Sequence, residues 1–326
     1  MTYAVSARAA ALSGICDTAS IQFDNDQTAN TDRNYTGGIR LACVTSPPTF
    51  VRDLMSHEPD PDVIDYRRFS YSIGQSLFTP DDLSQSQPIE GDHPYAGWLY
   101  LGFGLESEII PKPGRLRHLD NLELQLGVIG PLSGAEQTQR IGHRLLNATD
   151  PQGWGNQLDN EPGINLFYSR QWTGAVEVAL PSYDGFPALS FDMSPQIGMA
   201  LGNVHIFGGG GLTIRLGSFL REDHGPPVTR PGLPGSDSFP GQDGFSAYAF
   251  GSLEGRAVGR NIFLDGNTFN DSGPRVDKNT FVSEARVGMV LTYDNYRLAF
   301  TQTFRGQEFE GQSRHSFGSL ALSIGF

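Results

Sequence analysis

The sequence predicts an all-β protein: an antiparallel transmembrane β-barrel of about 12 strands with a short helix in an outer loop. Three observations carry this. Apolar and polar residues alternate with a period of two in run after run, and several runs reach ten or more residues, the length a tilted spanning strand needs. Charges of both signs recur on the non-apolar face, as a filled polar lumen requires. Aromatic residues gather at strand ends (Tyr95, Tyr293, Tyr296, Phe317), where an interfacial girdle would lie, and the last alternating run closes on Phe326. A soluble antiparallel sandwich with one wet face also alternates. Its strands average roughly six residues, and run length decides against it.

Strands are expected at 20–26, 34–45, 67–78, 94–107, 121–130, 163–172, 187–200, 204–217, 245–258, 281–293, 296–305 and 316–326. In the fourth, Leu99, Leu101, Phe103 and Leu105 oppose Trp98, Tyr100 and Glu106. In the fifth, Leu122, Leu124, Leu126 and Val128 oppose Glu123 and Gln125. Val287, Met289 and Leu291 oppose Glu284 and Arg286, and Leu298, Phe300 and Phe304 oppose Arg297, Thr301, Thr303 and Arg305. The last strand sets Leu320, Leu322, Ile324 and Phe326 against Ser319, Ser323 and Gly325. An even count returns both termini to one side, the periplasmic one, so the first hairpin has its tip outside. Segments 79–93, 131–162, 259–280 and 306–315 are then external. Segment 218–244, rich in Pro and Gly, falls on the periplasmic side, where short turns are usual. The run Gly208–Gly211 lacks a following Lys-Ser/Thr and is no phosphate loop; a close backbone approach inside the barrel is expected.

Residues 1–18 form an N-terminal segment ahead of a barrel domain at 19–326. The segment is rich in small residues but lacks a basic start followed by a Leu-rich core, and reads as a weak signal remnant or a mis-set start. A net charge of −13 excludes nucleic acid as a partner, because phosphate binding needs a basic face. An anionic lipid surface stays open, since divalent cations bridge acidic partners. Cys16 and Cys43 are the only cysteines, too few for a disulfide scaffold or a thiolate metal site; a single bridge between them stays open. No uninterrupted apolar run reaches the ~18 residues of a spanning helix. Oligomeric state is hard to read, because lipid-facing and subunit-facing apolar residues look alike; a monomer is expected.

Chemistry has two candidate locations. In "FDNDQTANTDRNYTGGIR", residues 23–40, polar side chains are denser than a hairpin tip requires. Ile21 and Phe23 point to lipid, so Asp24 and Asp26 point inward, with Asn25 turned the other way at the rim. On the second strand Tyr35, Ile39 and Leu41 face lipid, and Thr36 and Arg40 face inward, so Asp26 and Thr36 face each other. Oxygen donors of this kind suit a hard cation such as Ca²⁺, although Asn, Asp, Thr and Gly are also ordinary turn residues. The second location is "SGAEQTQRIGHRLLN", residues 133–147. Ser133 and Glu136 have the spacing of a capping box that opens a helix. Ile141 and Leu145 share one face of it; Glu136, Gln139, Arg140, His143 and Asn147 share the other. His143 has the residue type of a neutral-pH general base, laid over the barrel rim. A GxSxG elbow, an HExxH pair and a Cys–His pair near a helix are all missing, so an enzyme here rests on a base-activated water or an unusual hydroxyl nucleophile.

The stretches "FDNDQTANTDRNYTGGIRL", "GQSLFTPDD", "HPYAGWLYLGFGLE", "LQLGVIGP…GHRLL…GWGNQL", "RAVGRNIFLDGNTF" and "FGSLALSIGF" together resemble the lipid A deacylase family of Gram-negative outer-membrane proteins. They run in order along nearly the whole chain. The resemblance implies a twelve-stranded barrel that removes the 3′-linked acyloxyacyl chain of lipid A, the membrane anchor of lipopolysaccharide, in a calcium-dependent reaction. It implies localisation in the bacterial outer membrane with the active site toward the outer surface. The family's Asn-Asp pair falls on Asn25 and Asp26, its functional Thr on Thr36 and its catalytic His on His143. By that analogy His143 activates water, Asp26 holds Ca²⁺, and Asn25 with backbone N–H groups around Thr36–Gly38 donates to the oxyanion. Three positions depart from the pattern. Thr149 stands where a family glutamate can follow the His, so an acid partner comes from elsewhere, with Asp150 one candidate. Loop 79–93 carries Asp81, Asp82, Glu90 and Asp92 and no Lys or Arg, and His93 replaces a family Arg. A non-enzymatic barrel, either a small pore or a structural protein, is the alternative these departures favour.

Overall fold

The computed structural model describes residues 16–26, 33–54, 63–111, 116–146, 148–181, 188–229, 231–232, 236–239, 241–270 and 273–326. Most of the N-terminal segment, together with Asp32 and Asn147, lies outside the described residues. The alternating runs become strands, because a closed sheet pairs every backbone N–H and C=O while keeping one face apolar and the other polar. The strands are β1 (Thr18–Asn25), β2 (Asn34–Thr45), β3 (Val63–Thr79), β4 (Ala96–Pro111), β5 (His118–Ile129), β6 (Glu161–Trp172), β7 (Val176–Ala179), β8 (Ser190–Gly202), β9 (His205–Gly217), β10 (Phe245–Asn261), β11 (Phe281–Tyr293), β12 (Tyr296–Arg305) and β13 (His315–Gly325). Three helices join them: α1 (Thr49–Leu54), α2 (Ala135–Leu146) and α3 (Ile262–Asp265).

Pairing is antiparallel around the wall, and β1–β13 and β6–β8 contacts close it. Segment β7 continues β6 along the same neighbour: Gln171 lies opposite Gln196 and Val176 opposite Met193. The extra residues between them form a turn through Gly174, at φ +59. The wall is therefore a closed barrel of twelve strands, as the alternation predicts. The predicted faces also hold. Leu101, Met289, Phe300 and Leu320 are exposed, while Glu123, Glu284, Arg286, Arg297 and Arg305 are buried. Tyr293 and Tyr296 sit exposed at one rim as girdle residues, but Tyr95 and Phe317 do not. Tyr95 packs under Trp154, and Phe317 joins Tyr35 in the lumen.

The long 218–244 connection is explained by where it goes. Instead of hanging at the terminal end, it folds into the lumen. Asp237 pairs with Arg40 at 2.5 and 2.7 Å, the Ser236 hydroxyl donates to Glu106 at 2.5 Å, and the Thr229 hydroxyl donates to Asp24 at 2.5 Å. Asp223 accepts from the Tyr248 hydroxyl at 2.9 Å and lies 3.4 Å from Arg297. From the opposite end α3 sends Ile262, Phe263 and Leu264 inward, Phe263 stacking on Phe78 at 4.0 Å. Between the two plugs runs a buried ion network. Glu284 meets Arg305 at 2.8 Å and Arg256 at 3.3 Å, and Glu254 meets Arg286 at 2.8 Å and Arg256 at 3.0 Å. The expected close approach at Gly208–Gly211 is real: a Cβ on Gly209 would lie 2.9 Å from the Arg256 Cγ and closer to the Gly255 carbonyl. At the terminal end Cys16 and Cys43 are joined, with Cα atoms 5.4 Å apart, which fastens the start of β1 to β2.

Candidate active site

The first hairpin departs from simple alternation at its outer end. Asn25 is the last residue of β1 in register with β2, opposite Gly37, and it is exposed on the outer face of the wall. One residue on, Asp26 is fully buried, and its Oδ2 accepts from the Arg33 N–H at 2.7 Å, which closes the foot of the tip. On β2 the register against β3 slips: Tyr35 pairs with Phe78 and Gly37 with Leu77, so Thr36 is an extra, bulged residue. The bulge overturns two of the expected orientations. Tyr35 turns into the lumen, buried against Phe78 and Phe317, and its hydroxyl donates to Asp24 at 2.7 Å. Thr36 turns away from the lumen toward Thr79, the residue after lumen-facing Phe78, with the two hydroxyls 2.5 Å apart. Asp24 and Arg40 face inward as expected, held by the plug.

Helix α2 lies on the outside of the same wall. Ala135, Gln139 and His143 recur every fourth residue and are all buried, so this stripe faces the barrel. The helix packs on β3 and β4: Gln75 of β3 donates to the Ser133 carbonyl at 2.7 Å, and Gly97 of β4 leaves room for Ser133 and Ala135 where any Cβ would collide. Trp154 donates to Gln139 at 2.7 Å and packs with Leu77, Tyr95 and Ala135. The expected capping box does not form. Ser133 ends a tight turn, Gly134 follows at φ +71, and Glu136 pairs instead with Arg140 at 3.0 Å. Leu132, Ile141 and Leu145 point away from the wall, Leu145 being 82% exposed. The helix thus turns Gln139 and His143 toward the protein, while its outward face mixes Ile141 and Leu145 with Gln137, Thr138 and Arg144.

His143 has its Nδ1 against the carbonyl of Thr149. A carbonyl only accepts, so Nδ1 carries the proton and Nε2 is the basic nitrogen. Position 149 thus orients the imidazole through its backbone carbonyl. Asp150, the candidate acid partner, is engaged elsewhere: it meets Arg140 at 2.6 Å, and Glu136 and Asp150 together hold that guanidinium's pKa above its ordinary range. The acidic loop is likewise spent on its own structure. Asp81 pairs with Arg33 at 3.0 Å, Asp92 accepts from the Asp81 N–H at 2.8 Å, and bonds from Ser84 and Gln85 lower the Asp82 carboxyl below its ordinary value. His93 is buried and stacked on Phe78, and burial holds its ring below the usual histidine range, so it supplies no cation at neutral pH.

The hairpin thus brings Asn25, Asp26 and Thr36 together at one end of β1–β2, while His143 arrives on a helix seated one strand further round, on β3 and β4. Two members have no counterpart among the sequence candidates. Thr79 has no local signal, since only the bulge makes it a neighbour of Thr36. Asn34 does have one, an amide residue directly after Asp-Arg at the start of a strand, and it is fully buried at φ +59. Among the described residues no group of three or more His, Cys, Asp or Glu side chains is placed to hold a metal. Among the described residues, a cation at Asp26 would rely on that carboxylate plus neutral oxygens. The set fits a hard ion: besides the hydroxyls of Thr36 and Thr79, the buried Asn34 Oδ1 meets no hydrogen-bond partner among the described residues.

A filled, closed barrel with an apolar outer belt defines an outer-membrane barrel. The model of the family described as outer membrane protein LpxR matches residues 1–326. The chain belongs to the LpxR family of outer membrane proteins. Among solved structures it is similar to LpxR from Salmonella typhimurium, with a TM-score of 0.72 and 21% identity over 95% of this chain and 100% of that one. It is more distantly similar to the translocator domain of the autotransporter NalP from Neisseria meningitidis, with a TM-score of 0.42 and 11% identity over 100% and 95% of the two chains. The β domain of the Bordetella autotransporter BrkA gives 0.43 and 9% over 95% and 98%. No curated protein sequence matches the chain.

Proposed function

We propose that this chain is an outer-membrane ester hydrolase that removes the 3′-linked acyloxyacyl chain of lipid A, acting as a monomer with its site toward the outer surface. Membership of the LpxR family supports lipid A deacylation in general terms. The observation that carries the reading is His143 on the wall-facing stripe of the outer helix, its Nδ1 on the Thr149 carbonyl, one strand round from the hairpin that bears Asn25, Asp26 and Thr36. His143 Nε2 takes a proton from water, whose oxygen attacks the acyl carbon. The bond from that carbon to the sugar oxygen breaks, and the proton passes from His143 to the departing alkoxide. Ca²⁺, when bound at Asp26, supplies Lewis-acid polarisation of the ester carbonyl. Asn25, exposed beside Gly37, donates toward the developing oxyanion. Hydrolysis in ¹⁸O-water tests the step: one label is expected in the released fatty acid and none in the sugar hydroxyl, and the reverse distribution contradicts it.

The outward-pointing Ile141 and Leu145 of α2 give a second test. With Leu145 and Ile141 seated among acyl chains, Leu145→Glu is expected to lower turnover of lipid A in bilayers about fivefold, the weight of about 1 kcal/mol for a charge near the interface. Turnover of detergent-dispersed lipid A should stay unchanged; equal loss in both would contradict a membrane role for this face.

The pore alternative meets a specific obstacle, because Thr229, Ser236 and Asp237 enter the lumen from one end and Ile262–Leu264 from the other. Planar bilayers containing the folded protein are expected to show baseline conductance. Steady conductance steps, with lipid A unchanged in mass, would favour the non-enzymatic barrel.

A further inference from the structure

Asn34 combines two unfavourable features that nothing else in its surroundings offsets. It is fully buried, and neither Oδ1 nor Nδ2 meets a hydrogen-bond partner among the described residues. Buried amides are almost always bonded, and leaving both ends unmet is costly. Its backbone sits at φ +59, in the left-handed region that non-glycine residues seldom adopt. Such a concentration of cost on one residue points to a ligand.

Its neighbours indicate which. Asn34 lies opposite Thr79 in the β2–β3 ladder, and cross-strand partners share a face. The Thr79 hydroxyl is 2.5 Å from that of Thr36 on this face. Arg33, the preceding residue, donates its backbone N–H to Asp26 at 2.7 Å. Asn34 thus lies on the face of the Thr79 hydroxyl and directly follows the residue whose N–H holds Asp26, a carboxylate at the hairpin foot. We propose that Asn34 Oδ1 is a direct ligand of the divalent cation held at Asp26, an inference that rests on the cation reading of the preceding subsection. An amide oxygen is a hard, neutral donor, the kind a site with a single carboxylate needs to fill its coordination shell. The low ligand charge places the site in the weak range of calcium affinities, about 10⁻⁴–10⁻³ M.

Glycine is at ease at positive φ, so Asn34→Gly removes the amide and keeps the backbone. Calcium binding to the detergent-folded protein is read by displacement of Tb³⁺ luminescence, with folding checked by the heat-dependent gel shift. Asn34→Gly is expected to weaken calcium binding at least tenfold, and Asn34→Asp to tighten it about tenfold by adding ligand charge. Asp26→Asn serves as the reference and should weaken binding further. Unchanged affinity in Asn34→Gly overturns the proposal, as does unchanged affinity in Asn34→Asp should the glycine variant not fold. Absence of calcium binding in the unaltered protein, or unchanged binding in Asp26→Asn, instead overturns the cation reading itself, and the ligand role with it.

Discussion

Replacing His143 by Ala is expected to slow lipid A deacylation by about 10²–10⁴-fold, the usual weight of a positioned general base, while the barrel folds as before. The helix keeps its other anchors: α2 is held on the wall by Ala135, by Gln139 through Trp154 and by Ser133 through Gln75. What the substitution removes is an imidazole whose tautomer is set by the Thr149 carbonyl. Asp150→Ala is the matched control. Because Asp150 meets Arg140 and not His143, its loss should leave the rate near that of the unaltered protein. Mass spectrometry of lipid A over time gives both rates. A rapid His143→Ala enzyme would remove this residue from the base role, and a slow Asp150→Ala enzyme would restore the acid partner that the geometry assigns elsewhere.

The second large effect concerns the lumen. Glu284→Leu is expected to destabilise the barrel by about 3 kcal/mol, because it removes one carboxylate shared by two buried arginines and leaves Arg256 with Glu254 and Arg305 with Glu308 at 3.6 Å. Arg305 and Arg256 both bond to Glu284 and have almost no solvent access. The contrasting substitution is Glu177→Leu, whose partner Arg221 is 69% exposed; such a surface pair is worth about 0–1 kcal/mol. Urea unfolding of the two variants in the same lipid measures the difference. Equal midpoints would mean that the network is hydrated and flexible, contrary to the packing described.

Much of this was legible in the sequence because a spanning strand is long and its two solvents are so different. Runs such as 281–293 and 296–305 identify themselves and their faces, and the outer helix was read from the spacing of Ile141, Leu145 and His143. The failures share one physical cause, events that local periodicity does not encode. A bulge is one extra residue, and at Thr36 it reversed both that side chain and Tyr35. The same kind of insertion separates β6 from β7. The plug could not be read from 218–244 because its partners, Arg40, Glu106 and Arg297, are distant in sequence and look like ordinary lumen residues. Tyr95 and Phe317 resembled girdle aromatics for a related reason: an aromatic at a strand end suits either a lipid interface or a covered recess, and only the packing of Trp154 and Tyr35 decides. The contact of His143 with the Thr149 carbonyl left no trace in the sequence either, because any residue at 149 supplies that carbonyl.

The central claim is that a lipid ester is cleaved at the first hairpin with a cation's help. Mass spectrometry of lipid A after incubation with detergent-folded protein, once with calcium and once with chelator, tests it most directly. The account predicts loss of one acyloxyacyl unit with calcium and an unchanged mass with chelator. An unchanged mass in both, from protein shown to be folded, would contradict it and leave the hairpin a polar rim on a non-enzymatic barrel.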